Sequence, residues 1–381
     1  MSYQSNFQSP AIGTSFDRQM MQRCLQLARQ ATGKTSPNPM VGAVIVRDGK
    51  IVGEGFHPQA GQPHAEVFAL REAGELAKDA TIYVNLEPCN HQGRTPPCTE
   101  ALIAAGVAKV VVGMVDPDPR VSGGGIERLK NAGIEVVAGV EEEACRQLNE
   151  AFVHRTLYKK PFGILKYAMT LDGKIAATTG HSAWVTGKES RHLVYQVRSA
   201  CDAVIVGGNT VRQDNPHLTT HQVASHNPLR VVMSRRLDLP QQANLWNTDE
   251  AATLVFTEVG SNPELQKQIS KQGVEVVEME SLSPLSVVKY LYDRGLSSVL
   301  WECGGTLAAE AIAQKTVQKV MAFIAPKIIG GQAAPSPVGD LGLERMTEAL
   351  QLERVTARAI SEGIASRIAS DFLIEGYLSN P

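Results

Sequence analysis

The stretch that most restricts this chain is residues 63–98, which opens P-H-A-E and closes L-E-P-C-N-H-Q-G-R-T-P-P-C. His64 and Glu66 stand at the start of an expected helix just past Pro63, where a missing N–H costs nothing. Cys89 follows an expected strand, and Cys98 opens a helix after Pro96 and Pro97. A thiolate at a helix N-terminus is stabilised by the helix dipole, which suits it to a metal. One neutral imidazole and two thiolates make three zinc ligands, and a fourth position left to water distinguishes a catalytic zinc from a structural one. Zinc lowers the pKa of such a water to roughly 7, and a carboxylate two residues from the histidine is placed to carry its proton. Two plainer readings stay open on these residues: core thiols beside a chance H-A-E, or a structural zinc with His91 as fourth ligand. The order of strand, H-A-E on a helix, strand, P-C, then a cysteine opening a helix weighs against both.

The surrounding sequence alternates in the same manner. Asp48-Gly49 between residues 41–47 and 50–56 signals a hairpin. Helical spacing marks residues 16–31, about 64–78, 99–105 and 126–131; strands are expected at 80–86, 109–114 and 134–138. A polar-faced helix over 141–158 breaks at Lys159-Lys160-Pro161. The boundary placed there gives two domains, residues 1–159 and 160–381, as the length also favours. Beyond it, strands are expected at 163–169, 203–206, 229–233, 253–256, 274–277, 298–301 and 319–325, with an edge strand at 372–377. Residues 241–247 and 333–343 read as exposed loops. Strands alternating with helices imply α/β domains with sheets covered on both faces. A formal net charge of -2 argues against a strongly basic nucleic-acid binder. No apolar run approaches the ~18 residues of a membrane span, and the polar N-terminus has no secretory pattern. Six cysteines in so long a chain do not make a disulfide framework. A cytoplasmic protein is expected.

An H-x-E followed by P-C and a second cysteine is the zinc deaminase signature, but there the cysteines are spaced C-x-x-C. Here the eight residues 90–97 separate them, and they are expected to shape a substrate pocket. That insert carries a resemblance. H-A-E-V, L-E-P-C-N-H-Q-G-R-T-P-P-C-T-E-A-L-I-A-A-G-V, P-N-P-M-V-G-A-V-I-V-R-D-G-K-I-V-G-E-G-F-H and M-V-D-P-D-P resemble the deaminase half of the bifunctional riboflavin-biosynthesis deaminase/reductase family. L-K-Y-A-M-T-L-D-G-K-I-A, S-A-W-V-T-G, G-N-T-V-R-Q-D-N-P-H-L-T and E-C-G-G-T-L-A are similar to successive motifs of its reductase half.

The resemblance implies a cytidine-deaminase-like α/β/α domain followed by a dihydrofolate-reductase-like α/β domain. It implies hydrolytic deamination of 2,5-diamino-6-(5-phosphoribosylamino)pyrimidin-4(3H)-one by zinc-activated water. NADPH-dependent reduction of the ribosyl side chain to ribityl phosphate would follow. His64, Cys89 and Cys98 would hold zinc, Glu66 would relay the proton, and Asn38, His57 and Arg94 would contact substrate. NADPH would lie against Ala168, Trp184, Thr210, Asp214, Ser234 and the turn Gly304, Gly305, Thr306, Leu307, Ala308, Ala309 and Glu310. Ser182, Arg198, Leu218, His221 and Glu302 would face the substrate, with Arg198 on its phosphate. The family often has arginine where this chain has His221. Lys166 and Asp172 match without an evident role. The residues themselves show no G-x-G-x-x-G after a strand; Gly207-Gly208 and Gly304-Gly305, each between a strand and a helix, are the phosphate-binding candidates. The partners implied are small molecules, with no nucleic acid or membrane, in a homo-oligomer. Two rivals are a nucleic-acid deaminase, which would want a basic tail, and a catalytically dead zinc-stabilised nucleotide binder, which would not want Glu66.

Overall fold

The computed structural model describes residues 12–91, 96–360 and 371–379. The chain divides into two compact units, Met1–Tyr158 and Lys159–Pro381.

The first unit begins with α1 (Ser15–Ala28), started by a capping box in which Thr14 Oγ1 accepts from Asp17 N–H and the Asp17 carboxylate accepts from Thr14 N–H. Then come β1 (Gly42–Arg47), β2 (Lys50–Phe56), α2 (Ala65–Ala73), β3 (Thr81–Leu86), α3 (Cys98–Ala104), β4 (Lys109–Met114), α4 (Gly124–Asn131), β5 (Glu135–Ala138), α5 (Glu142–Leu148) and α6 (Glu150–Tyr158). The sheet order is β2-β1-β3-β4-β5, antiparallel at β1 with β2 and with β3, and parallel from β3 to β5. Asp48 and Gly49 both take positive φ, as a two-residue hairpin of this twist requires.

Helix α2 lies so close to β2 that no side chain fits between them. A Cβ on Gly53 would stand 2.3 Å from the Ala69 carbonyl oxygen, and one on Gly55 would stand 2.5 Å from that of Ala65. G-E-G in β2 is therefore a seat for a helix of small residues, and the seat sets where that helix begins. Two expectations need correction. The helix expected to about residue 78 ends at Ala73 and becomes a 3-10 turn, Gly74–Ala77. The single helix expected over 141–158 is two. Asn149 between them is buried, and its side chain holds the Met40 backbone: Oδ1 accepts from Met40 N–H at 2.8 Å and Nδ2 donates to the Met40 carbonyl at 3.0 Å.

The second unit comprises β6 (Phe162–Thr170), α7 (Lys188–Ala200), β7 (Ala203–Gly207), α8 (Gly208–Asp214), β8 (Leu229–Met233), β9 (Thr253–Glu258), α9 (Pro263–Ser270), β10 (Glu275–Met279), α10 (Pro284–Asp293), β11 (Ser298–Trp301), α11 (Gly305–Ala313), β12 (Lys319–Ala325), β13 (Leu352–Ile360) and β14 (Asp371–Leu378). The sheet order is β10-β9-β8-β7-β11-β6-β12-β14-β13, parallel from β10 to β12. Alternate strand residues enter different cores. Ala203 and Ile205 join the apolar cluster that contains Val287, Leu291, Ala308 and Ala311 of α10 and α11. Val204 and Val206 join the one with Val211, Leu265 and Ile269 of α8 and α9. Both faces are covered, as a parallel sheet demands.

The strand expected at 372–377 is not an edge. β14 pairs with β12 on one side and with β13 on the other, and β13 is the edge. Seven consecutive β13 residues are exposed, so no apolar alternation announces it. The loop 241–247 is not wholly exposed either: Leu245 and Trp246 are buried, and Trp246 Nε1 donates to the Pro240 carbonyl. Among the described residues, no helix is long and apolar enough to cross a membrane.

Gly55→Ala is expected to destabilise the first unit by about 1–3 kcal/mol, the usual range for overpacking. Gly124→Ala, whose Cβ meets nothing within 4 Å, should stay within about 0.5 kcal/mol of the parent. Thermal denaturation of the two variants checks the pair.

Candidate active sites

In the first unit, the antiparallel seat of α2 and the end of β3 bring three ligand atoms together. His64 is the N-cap of α2, and Cys98 is the first residue of α3. His64 Nδ1 lies 3.2 Å from Cys98 Sγ and 3.5 Å from Cys89 Sγ. All three ligand atoms lie within 4.8 Å of one another. Nitrogen and sulfur ligands of one tetrahedral zinc stand about 3.5 Å apart, so the frame fits that ion. The Cys98 N–H donates to Cys89 Sγ at 3.3 Å. The hydrogen bond from Cys98 brings Cys89 down to about 4 and raises Cys98, which burial raises further. A divalent cation bound there would take thiolates, displacing the thiol protons. His91 is exposed and stands outside this cluster, which speaks against a structural zinc with His91 as its fourth ligand.

Glu66 projects from the first turn of α2 and is 3% exposed. Its Oε2 has no hydrogen-bond partner among the described residues. Burial raises its pKa, and the neighbouring Cys89 adds to that. A buried carboxylate oxygen without a partner is costly in a folded chain and marks a group kept for transient proton work. Beside it, His57 is buried, its Nδ1 3.0 Å from the Pro63 carbonyl oxygen and its Nε2 3.1 Å from Asn38 Nδ2. The carbonyl requires a proton on Nδ1, so Nε2 accepts from the Asn38 amide, and burial keeps the ring neutral by lowering its pKa. Asn38 Oδ1 is then directed away as an acceptor. Arg94 lies outside the described residues.

Sequence reasoning missed the groups that hold this frame. Glu87, one residue past β3, is buried and accepts from the N–H groups of Asp116, Gly123, Gly125 and Ile126 at 2.8–3.1 Å. It caps α4 from another element, since Gly123 at its N-cap has no side chain to do so. Asn85, fully buried within β3, accepts from Gly42 N–H and donates to the Met40 carbonyl. With Asn149 it fixes the strand of chain that carries Asn38. The available signal was a polar residue inside the apolar run I-Y-V-N-L and an acid directly before P-C.

In the second unit, the residues expected to hold the cofactor lie at or just past the carboxyl ends of the parallel strands and on the helices that begin there. β11 is inserted between β7 and β6, so the connections diverge there, and a crevice at such a reversal is where open α/β sheets bind ligands. Ala168 lies on β6, Thr210 and Asp214 on α8, and Ser234 just past β8. Gly304 caps α11, which carries Gly305, Thr306, Leu307, Ala308, Ala309 and Glu310. Ser182 Oγ donates to Asp214 Oδ1 at 2.9 Å, and Glu310 accepts from Arg235, the neighbour of Ser234, at 3.1 Å. Trp184, Leu218 and His221 all take positive φ.

Glu302 stands immediately past β11, between Arg198 and Lys166. Arg198 Nε and Nη2 donate to its two oxygens at 2.6 and 3.1 Å, and Lys166 Nζ is 3.6 Å away. Burial pushes the Glu302 carboxyl up, but Arg198 and Lys166 outweigh it and hold it at about 2. Burial lowers Lys166. Arg198 Nη1 donates to the Thr219 carbonyl, so most of the guanidinium is committed inside the protein. Leu218 is 3% exposed, and its side chain belongs to the core. His221 stacks on Tyr195 with ring centres 4.2 Å apart, and burial and then Arg198 lower its pKa. It borders a pocket of about 410 Å³ that His217, Thr219, Asn227 and Glu250 also line. Asp172 accepts from the N–H groups of Ile329 and Gly330, which gives it a loop-holding role.

Comparison with known proteins covers both units. Residues 14–114 match the cytidine and deoxycytidylate deaminase zinc-binding region, and residues 161–366 match the RibD C-terminal domain. The chain is 62% identical over 362 residues to the riboflavin biosynthesis protein RibD of Synechocystis sp., across 95% of this chain and 96% of that protein. It is 45% identical to the chloroplastic riboflavin biosynthesis protein PYRR of Arabidopsis thaliana, across 95% of this chain and 61% of that longer protein. Among solved structures, a RibD of Acinetobacter baumannii aligns with a TM-score of 0.83 at 37% identity, across 96% of this chain and 99% of that one. A diaminohydroxyphosphoribosylaminopyrimidine deaminase/5-amino-6-(5-phosphoribosylamino)uracil reductase of Thermotoga maritima aligns with a TM-score of 0.82 at 36% identity, over the same shares.

The depressed pKa of Glu302 has a stability consequence. Its contribution is fully present above the unfolded value near 4.5 and is lost as pH falls toward about 2. At about 1.4 kcal/mol per pH unit, the full effect is on the order of 3 kcal/mol. Trp184, Trp246 and Trp301 all lie in the second unit, so urea unfolding followed by tryptophan fluorescence reports on it. The parent should lose stability between pH 5 and 3 more steeply than Glu302→Gln, which is the less stable of the two at pH 7.

Proposed function

The chain belongs to the bifunctional riboflavin-biosynthesis deaminase/reductase family, and on that premise we propose that the His64–Cys89–Cys98 frame and the Glu302 crevice carry its two reactions. It is an enzyme of riboflavin biosynthesis that deaminates 2,5-diamino-6-(5-phosphoribosylamino)pyrimidin-4(3H)-one and then reduces the ribosyl side chain of the product to ribityl phosphate.

For the first step, His64, Cys89 and Cys98 would hold zinc. Bound there, the ion supplies the Lewis acidity that brings a water's pKa to roughly 7. Glu66 receives the proton on its partnerless Oε2 and returns it to the departing amine, so that ammonia leaves neutral. Asn38, fixed through His57, the Met40 backbone, Asn85 and Asn149, presents its amide oxygen to an N–H of the pyrimidine. Arg94 would neutralise the substrate phosphate. The observation that carries this reading is the combination of a one-nitrogen, two-sulfur frame with a buried, unpaired carboxylate oxygen two residues from its histidine.

For the second step, NADPH supplies the hydride, and the protein's part is orientation and a dry pocket. The cofactor would lie along the ends of β6, β7, β8 and β11, against Ala168, Trp184, Thr210, Asp214, Ser234 and the 304–310 turn. Immediately around Glu302 two cations, Lys166 and Arg198, face one carboxylate, and this local excess suits a phosphorylated substrate. With the guanidinium held by Glu302 and Thr219, Arg198 acts on the phosphate through its field and its two remaining N–H groups. Ser182 and the backbone at Leu218 and His221 would complete the substrate side. His221, with its pKa lowered, brings no charge near neutral pH where an arginine would. The same reading has small molecules as partners, no nucleic acid and no membrane, and a homo-oligomer in the cytoplasm.

Glu66→Gln should retain its zinc and lose ammonia release by about 10²–10⁴-fold, the range for removal of a general acid–base group. Oxidation of NADPH with the deaminated substrate should stay at the parent rate. Unchanged ammonia release would remove Glu66 from the chemistry, and loss of both activities in a folded, zinc-loaded variant would sink the assignment of independent sites.

A further inference from the structure

Trp184 combines three features that do not ordinarily coincide. Its backbone is in the left-handed region at φ 62, the residue is 70% exposed, and its ring is nonetheless held. The Arg191 guanidinium sits over it, 4.4 Å from the ring centre, and is anchored in turn by donating from Nη1 to the Thr186 carbonyl at 2.8 Å. Lys327 Nζ donates to the carbonyls of both Trp184 and Val185, at 2.8 and 2.9 Å. Lys327 lies just past β12, the strand next to β6, and its own carbonyl accepts from Leu171 N–H at 2.8 Å. The segment after β6 is thus fastened to the segment after β12 at both of its ends, by backbone at Leu171 and by the Lys327 ammonium at Trp184.

An unfavourable φ in a bulky residue persists only when its surroundings over-determine it, and such residues gather at ligand sites. The ring gains nothing by burial where it stands. One of its faces is taken by a cation, which attracts the electron-rich face of an indole, while the residue as a whole stays 70% exposed to a ligand. We propose that Lys327 and Arg191 are positioning residues that hold the Trp184 indole upright as a wall against the nicotinamide cofactor. The inference rests on the cofactor placement given above and extends it to two residues that touch no cofactor themselves. Lys327 sets the peptide planes on the C-terminal side of Trp184. Arg191 blocks one face of the indole, so that a flat ring can stack only on the other.

The experiment uses the full-length enzyme and the deaminated substrate. Lys327→Met removes both donors and should raise the KM for NADPH about tenfold while kcat stays within about twofold. The KM for the deaminated substrate should not move, and Lys327→Arg, which keeps the donors, should restore the NADPH KM. A loss of fold would lower kcat instead. Trp246 and Trp301 are buried, so acrylamide quenching reports on Trp184. Saturating NADPH should protect it in the parent and protect it less in Arg191→Gln. Parent-like NADPH kinetics in Lys327→Met, or quenching unchanged by bound NADPH, would overturn the inference. Failure of the cofactor placement itself has another signature: Trp184→Ala and Thr210→Ala would then both leave the NADPH KM at the parent value.

Discussion

Glu87, which is buried, and Glu302, whose side chain is 9% exposed, each stand one residue past the end of a strand, β3 and β11, and each accepts the N–H groups or the charge that would otherwise be stranded there. Glu87 takes four backbone N–H groups of residues 116–126, which ties the turn bearing Cys89 to the start of α4. The fit is close, because a Cβ on Gly125 would meet the Pro88 carbonyl oxygen at 2.1 Å. Glu302 takes the Arg198 fork and the Lys166 ammonium. Removing either carboxylate leaves buried donors or cations without an acceptor, a far larger cost than the net worth of the bonds themselves.

The two units reach their sites by the same physical route. Parallel strands deliver their carboxyl ends to one edge, and helices begin beside that edge with free N–H groups. In the first unit the α3 start stabilises sulfur and the α4 start is capped by Glu87. In the second the starts of α8 and α11 are both entered through glycine, with no side chain capping them. What differs is the supporting material. The deaminase frame is held by the neutral amides Asn85 and Asn149 on the backbone of Met40 and Gly42, and by Glu87 on backbone N–H groups. The reductase crevice is held by paired side-chain charges, Glu302 against Arg198 and Lys166.

The candidate metal frame was legible because such chemistry needs particular atoms at particular chain positions: an imidazole at a helix start, a thiol at another, and an acid two residues past the imidazole. The α/β class and most strands followed from apolar runs between turns. The supports were not legible, since their reasons are tertiary. Asn149 interrupts a helical pattern because its side chain is spent on Met40, 109 residues away in sequence. β13 is a strand that packs almost nothing, so composition hides it. Trp246 is buried in what composition calls a loop because Thr253, Arg230 and Pro240 gather the 244–251 carbonyls and indole around it. Arg198 reads as a free phosphate ligand until Glu302 is seen opposite it.

The metal frame is the part of this account on which the rest of the first site depends, and X-ray absorption at the zinc edge of the purified protein examines it most directly. The expected first shell has two sulfurs at about 2.3 Å and two lighter atoms at about 2.0–2.1 Å, with outer-shell scattering from a single imidazole. Two imidazoles would bring in a second histidine such as His91 and close the site, and a shell with fewer than two sulfurs would break the Cys89–Cys98 frame. Either result would contradict a catalytic zinc at His64, Cys89 and Cys98.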